Sequence, residues 1–343
     1  MKQVTVYDIA KEAKVSVATV SRVLNGTAPV RASTRAKIEA IMHRHQFQPN
    51  ALARSLSKKE TGIIGVILPD ITNSFFPEVF SGIMQEGQET GYTFFLCDTM
   101  GQYDKESEFL NIMREKRVDG ILFMGGRINL NDCDEALVQE VMEHANKIPL
   151  VLVNGNLKNA NLTRVATDEY AGTMLAVRHL IELGHTRIGF IGGESHMATT
   201  MVKMRAYRKC LREAGLPIRE EWVLPDDFSV DAGNRQMQRL LSQTERPTAV
   251  CCVNDFTAIG AMKTAIDQGM RVPDDISIVG FDDIVLARHF IPELTTVSQQ
   301  ASELGRTAVQ VLRQLINQER VKKLTSLSPR LVIRQSTASP RSE

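Results

Sequence analysis

The chain predicts an α/β protein in which a small helix-turn-helix unit precedes a core of doubly wound parallel sheets. Three observations carry that reading. Residues 7–26, YDIAKEAKVSVATVSRVLNG, have the apolar spacing of two short crossing helices. From Gly62 onward, Val/Ile-rich runs alternate with helical stretches, the pattern of parallel strands covered on both faces. The charge divides at the same place. Residues 1–60 hold eleven Lys and Arg against four Asp and Glu, a balance of +7, and residues 61–343 hold 30 against 36, a balance of −6. At 343 residues, 43% hydrophobic and 24% charged, the chain is long enough for two or three domains with sizeable cores.

In the first unit Ser16 opens the second helix, because its hydroxyl can accept from free amides of the first turn. Ile9, Ala10, Ala13, Val15, Val20, Val23 and Leu24 supply the small and branched residues of a close helix crossing. Val17, Ala18, Ser21, Arg22 and Asn25 are left on the outer face. An arginine among short side chains suits a major groove, where it can donate twice to guanine while small apolar groups meet thymine methyls. A plain helical hairpin with a solvated basic face is the simpler alternative. The excess positive charge on the same segment favours a duplex binder. Ser33–Gln46 reads as a third helix with Ile38, Ile41 and Met42 inward, and Pro49 then breaks the chain. Residues 50–56, NALARSL, are too few to hold a helix alone and are expected to order only against a partner chain or nucleic acid.

The core predicts strands at 63–68, 93–97, 120–124, 150–153, 187–191, 249–253 and 277–281, with helices at 76–90, 105–115, 169–183, 201–214, 231–241 and 255–268. Ligands of such folds lie beyond the carboxyl ends of the strands, where Asn73–Phe76, Asn154, Asn254 and Asp282 fall. Gly192–Gly193 reads as a tight turn rather than a phosphate loop. The five cysteines lack metal-ligand spacing, and Cys251–Cys252 lies in an apolar, strand-like run, so reduced thiols and no metal are expected. The seven histidines are scattered. His43, His45 and His185 are expected at the surface or as caps, and no cofactor and no enzyme activity are expected. No apolar run approaches the ~20 residues of a membrane span. With Asp8 interrupting any leader-like core, a cytoplasmic protein is expected.

YDIAKEAKVSVATVSRVLNG, QPNALARSLSKKET, GVILPDITNSFF, LIELGHTRIGFIGG, VNDFTAIGAM, VPDDISIVGFDD and PELTTVSQ, in this order, resemble the lactose/galactose repressor (LacI/GalR) family of bacterial transcription regulators over nearly the whole chain. The later part looks like periplasmic sugar-binding proteins of the ribose-binding type, which lack the first 60 residues; a transport protein is therefore the alternative of a different class. The resemblance implies a homodimer on a pseudo-palindromic double-stranded operator, a helix-turn-helix domain at 1–49 and a hinge at 50–60. It also implies a two-lobed, periplasmic-binding-protein-like core at 61–340, with lobe one at 61–161 and 294–323 and lobe two at 162–293 and 324–340. Val17, Ala18 and Arg22 occupy its base-reading positions, and Leu56 that of a side chain wedged into the central base step. Asn50 and Arg54 fall on the same hinge. Thr5, Tyr7, Ser16, Thr19, Ser21 and Asn25 take the places of backbone contacts that set register. Lys14 stands where the family often has glycine, in a turn whose left-handed conformation costs a non-glycine residue about 1–2 kcal/mol.

Asn73, Phe75, Phe76, Phe228, Asn254, Asp282 and Gln299 coincide with the family's sugar-contacting positions, implying a small carbohydrate effector. Two positions depart: Asn154 where Asp is frequent, and Lys203 where Arg is frequent. Lysine lacks the guanidinium fork. Lys203 could face a neutral sugar, a sugar phosphate or solvent, and the charge lost at Asn154 tilts the expectation toward tolerance of an anion. A subgroup controlled by a phosphorylated carrier protein also has lysine there, so protein-mediated control is the alternative, although ASELGRTAVQVLRQL matches that subgroup poorly. The polar tail from Ser336, without the lactose repressor's leucine-heptad helix, predicts a dimer rather than a tetramer, and the resemblance implies an interface around Phe76–Gly91 and the segment after Phe281.

Overall fold

A computed structural model describes residues 4–25, 28–47 and 60–341, which divide into two units, residues 1–62 and residues 63–343. In the first unit three helices, α1 (Val6–Ala13), α2 (Val17–Asn25) and α3 (Ala32–Arg44), enclose Ile9, Ala10, Ala13, Val20, Val23, Ile38 and Ile41. Thr5 and Asp8 cap α1 reciprocally: the Asp8 amide donates to Thr5 Oγ1 at 3.3 Å and the Thr5 amide to Asp8 Oδ2 at 2.9 Å. Ser16 caps α2 as the sequence predicts, accepting from the Thr19 amide at 3.1 Å. Glu12 ties α1 to the end of α3 through Arg44 (2.7 Å) and His45 (2.8 Å).

Lys14 ends α1 at φ 58°, ψ 45°, the left-handed conformation its position implied. Glycine there would relieve about 1–2 kcal/mol of backbone cost while adding about 0.4–1 kcal/mol of freedom to the unfolded chain. Lys14→Gly is therefore expected to strengthen α1 and α2 by roughly 0.5–1 kcal/mol. Amide exchange on those helices reads it, and unchanged or faster exchange would refute the strain argument.

The second unit is two doubly wound lobes. The first sheet joins β1 (Ile63–Leu68), β2 (Thr93–Asp98), β3 (Gly120–Met124), β4 (Leu150–Val153), β5 (Thr163–Thr167) and β11 (Leu324–Leu327), in the order β11-β5-β4-β3-β1-β2 and wholly parallel. The second joins β6 (Ile188–Ile191), β7 (Val223–Leu224), β8 (Ala249–Cys252), β9 (Ser277–Asp282), β10 (Thr295–Ser298) and β12 (Arg330–Val332), in the order β12-β10-β9-β8-β6-β7. Only β10 with β12 is antiparallel. Around them lie α4 (Phe75–Thr90), α5 (Tyr103–Lys116), α6 (Glu135–Ala145), α7 (Glu169–Glu182), α8 (Ala198–Glu213), α9 (Val230–Leu241), α10 (Asp255–Asp267) and α11 (Ala301–Ile316). Strands buried on both faces explain the near-continuous Val/Ile runs.

The lobes share a device. Gly82 of α4 lies against the Ser302 carbonyl of α11, and Gly233 of α9 against the Thr257 carbonyl of α10, where an added Cβ would collide with backbone. Each lobe thus packs one helix pair at a separation only glycine allows.

The chain passes between the sheets three times: after Thr167, between Ser298 and Ala301, and between Leu327 and Arg330. The lobe boundaries expected at 161/162, 293/294 and 323/324 are corrected accordingly. β5 and β11 belong to the first sheet and β10 to the second, because their ladders pair them there. The crossings are bonded side by side: Thr167 Oγ1 donates to the Gln299 carbonyl at 3.0 Å and Gln300 Nε2 to the Ser328 carbonyl at 2.6 Å. His185 is also corrected, since it is buried rather than superficial. Its Nε2 reaches the Ala338 carbonyl at 2.9 Å and its Nδ1 the Thr248 hydroxyl at 2.9 Å, so the C-terminal segment covers it. Gly192 and Gly193, at φ 84° and 79°, form the expected tight turn.

Candidate functional site

Each sheet reverses its strand order beside its first strand, between β1 and β3 in one lobe and β6 and β8 in the other. Loops diverge at such a switch and leave a crevice beyond the strand ends. Here the two crevices face each other and enclose a cavity of about 650 Å³. From the first lobe come the segments after β1 (Asp70, Asn73, Phe75, Phe76), β2 (Asp98) and β3 (Gly125, Gly126). From the second come Glu194 after β6, Asn254 after β8, Asp282 closing β9, and Glu169, Thr199 and Lys203 from α7 and α8. All nine effector positions read from the sequence, Asn73, Phe75, Phe76, Asn154, Lys203, Phe228, Asn254, Asp282 and Gln299, line this one cavity.

They do not stand equally free. Asn254 caps α10, accepting from the Thr257 amide at 2.9 Å, and donates to the Phe228 carbonyl at 3.0 Å, so it shapes the wall. Asn73 accepts from the Phe75 amide at 3.2 Å. Phe75 is 6% exposed, sits in the first lobe's core and meets Phe76 edge-on at 5.4 Å. A polar chain crosses the hinge: the Thr167 amide donates to Asn154 (2.8 Å), Asn154 to Gln299 (2.8 Å), and Gln299 Nε2 to Asp282 Oδ1 (2.7 Å). Asn154 and Asp282 hold φ of 50° and 119°. Strained backbone of this kind persists only where the surroundings impose it.

Lys203 does not point to solvent. It is 4% exposed, donates to the Val253 carbonyl at 2.9 Å, stands 3.8 Å over the Phe281 ring and faces Glu169 at 3.4 Å. Five carboxylates (Asp70, Asp98, Glu169, Glu194, Asp282) line the cavity against this one engaged ammonium. The charge lost at Asn154 is thus outweighed by carboxylates from elsewhere in the wall. Burial pushes the Asp282 carboxyl up to about 7, with Lys203 and the Gln299 hydrogen bond pulling the other way.

In the first unit the predicted outer face of α2 is presented as expected. Val17 is 36% exposed, and Ala18 and Arg22 are exposed, Arg22 without an ion pair among the described residues. Ser21 is half-buried, and Tyr7 on α1 is 73% exposed. Thr5, Ser16 and Thr19 serve the caps, with Ser16 Oγ and Thr19 Oγ1 2.9 Å apart. The Asn25 side chain and Asn50, Arg54 and Leu56 lie outside what is described.

The sequence reading missed Asp70, Asp98, Tyr103, Glu169, Glu194 and Thr199 in the cavity wall. Asp98 closes β2 and Glu194 follows β6, so the strand-end rule applied to every strand would have found them. Tyr103 and Thr199 carry no such signal.

The fold and cavity define a two-lobed small-molecule receptor joined in one chain to a helix-turn-helix unit. Residues 5–50 match the bacterial regulatory proteins of the lacI family, and residues 177–337 a periplasmic binding protein-like domain. The HTH-type transcriptional repressor PurR of Photobacterium profundum is 34% identical over 335 residues, covering 97% of this chain and 98% of that protein. Catabolite control protein A of Priestia megaterium is 37% identical over 336 residues, covering 97% and 99%. The lac repressor dimer bound to operator and the anti-inducer ONPF superposes with a TM-score of 0.87 at 29% identity, over 98% of this chain and 100% of that one. The transcriptional regulator CelR in complex with cellobiose gives 0.73 at 26% identity, over 97% and 99%. The chain belongs to the LacI family and is a DNA-binding transcriptional repressor that answers to a small-molecule effector. Its relatives are regulators, not enzymes. Among the described residues no helix is long and apolar enough to cross a membrane.

Proposed function

We propose that the chain works in the bacterial cytoplasm as a homodimer on a pseudo-palindromic operator of carbohydrate genes, and that its effector is a neutral, hydroxyl-rich molecule of sugar size. The observation that carries the effector reading is the convergence of amides, a free carboxylate oxygen and aromatic rings on one cavity between two lobes. Its volume, about 650 Å³, suits a mono- or disaccharide-sized ligand. Phe76 and Phe228 offer ring faces, while Phe75 backs them from the core. Asp282 Oδ2, which has no protein partner among the described residues, would accept from a hydroxyl. The carboxylate-rich wall disfavours phosphates. The CelR structure with cellobiose supports the sugar class for a relative of this fold.

Asp282 supplies the test. Its folded pKa lies above its usual 3.8, so its burial costs stability progressively as pH rises from about 4 to about 7, and the cost levels above that. A ligand hydroxyl donating to the carboxylate favours the charged form. Binding is therefore expected to release a proton and to weaken toward tenfold per pH unit below 7. Thermal shifts with neutral sugars and their phosphates at pH 6 and pH 8, with calorimetry in two buffers for the proton, check this. Stabilisation by neutral sugars that is larger at pH 8 and lost in Asp282→Ala is the expected result. A larger shift with the phosphates, or none with any carbohydrate, would overturn the sugar reading.

A further inference from the structure

Beside the effector cavity lies a second one of opposite charge. It encloses about 940 Å³ between the edge of the first sheet and α8 of the second lobe. Lys158 and Arg164 reach it from the first lobe; Arg205, Arg208 and Arg212, spaced i, i+3 and i+7 on one face of α8, reach it from the second. Its two carboxylates are already engaged by other groups. Asp168 caps α7, accepting from the Ala171 amide at 2.9 Å, and Glu169 accepts from Thr199 at 2.5 Å and faces Lys203. Lys158 is held by Asp132 at 3.3 Å and Arg208 by Glu220 at 2.7 Å. Arg164, Arg205 and Arg212 have no ion pair among the described residues, and Arg205 lies 5.4 Å from the Tyr170 ring.

We propose that this groove is a second ligand site, distinct from the effector cavity, that takes a small multiply charged anion of the phosphate-ester or pyrophosphate class. Three arginines without counter-ions in one concavity repel each other and focus positive potential. Guanidinium forks match phosphate oxygens in pairs. A concavity of this volume accommodates a small molecule. Because Arg164 and the α8 arginines stand on opposite lobes, an anion between them replaces repulsion by attraction and holds the lobes together. The groove and the effector cavity share Asn129, Asn154, Glu169 and Thr199 in their walls, so occupancy of one is felt at the other. Two ligands that favour the same lobe arrangement bind with positive coupling. The proposal does not depend on the effector being a sugar.

The test uses the full chain with sodium pyrophosphate as probe and sodium chloride at matched ionic strength as reference. Pyrophosphate is expected to raise the melting temperature saturably at millimolar concentration. The exposed pair Arg205→Gln/Arg212→Gln is expected to weaken pyrophosphate binding at least tenfold by calorimetry, and Arg164→Gln to do the same from the other lobe. Each variant's melt in chloride shows whether it folds as the parent does, and the two lobes provide independent variants if one does not. A shift equal to that in chloride would overturn the proposal. So would pyrophosphate affinity that survives all three substitutions, which would place the anion on the basic first unit instead.

Discussion

Arg22→Ala is expected to weaken operator binding by about 1–3 kcal/mol in each half-site, hence about 2–6 kcal/mol across a two-fold symmetric complex, and to relax the preference at one guanine. Arg22 extends from the outer face of α2 with no ion-pair partner among the described residues, and its neighbours Val17 and Ala18 are too short to hold it off a base edge. Ser16 and Thr19, bonded to each other at the start of the same helix, fix where that face begins. Selection from a random duplex pool is expected to return a pseudo-palindrome resembling TGNAANCG-NTTNCA with a central C·G step, and the outer guanine is expected to lose its preference in the variant. Titrations at several salt concentrations separate a base contact from a phosphate contact. Uniform weakening on every sequence, with a salt slope smaller by about one per half-site and so about two across the complex, would assign Arg22 to the backbone. Asymmetric selected sites would sink the dimer-on-palindrome reading.

What the sequence revealed and concealed follows from burial. Six of the seven legible strands are covered on both faces and read as apolar runs, as in IIGVIL and LVLV, while β2 (TFFLCD), at the sheet edge with alternate residues exposed, was legible from its apolar centre alone. The five missed strands are short, polar or half-exposed. β5 (TRVAT) buries alternate residues, β11 (LTSL) alternates exposed and half-buried ones, and β10 (TTVS) buries threonines beside the hinge. Their place in the sheets follows from ladder pairing, which no local pattern encodes, and so the lobe boundaries were misplaced. Strand-end polar residues pointed to the cavity, yet the direction of Lys203 depended on tertiary packing: Phe281 and the Val253 carbonyl hold it down. The hinge residues Asn50, Arg54 and Leu56 remain expectations, since they lie outside the described residues.

The largest stability loss in the core is expected from Arg127→Ala. Arg127 is fully buried, and its guanidinium donates to Glu106 (2.5 Å), Glu140 (2.6 Å), the Tyr103 carbonyl (2.5 Å) and Ser107 (2.7 Å). Burial pushes Glu106 up to about 7 even with Arg127 beside it. Against its own burial, Glu140 is held low by the hydrogen bonds from Ser107 and Arg127. Removing the cation strands a buried carboxylate, at a cost of about 3–5 kcal/mol, a large share of a domain's typical 5–15 kcal/mol. The pH dependence gives the sign. A folded pKa above the unfolded one makes ionisation destabilising as pH rises from the unfolded pKa to the folded one. Without Arg127 that folded value climbs further, so the deficit is expected to be flat below about pH 7, where Glu106 is protonated in both folded proteins, and to grow above it, being larger at pH 8 than at pH 5. The double variant Arg127→Met/Glu106→Gln, which removes both charges, is expected to recover much of the loss. Function follows the same group. Arg127 anchors the turn at Gly126–Asn129, just before Leu130 bridges to Met197 and the Asn131 amide donates to the His196 carbonyl at 2.9 Å across the lobes. The double variant is therefore expected to bind effector more weakly even where its melt recovers, because an apolar side chain fixes the turn less tightly than five hydrogen bonds from one guanidinium. Equal deficits at pH 5 and pH 8 would mean that Glu106 is not the group left uncompensated, and the account of this network would fail.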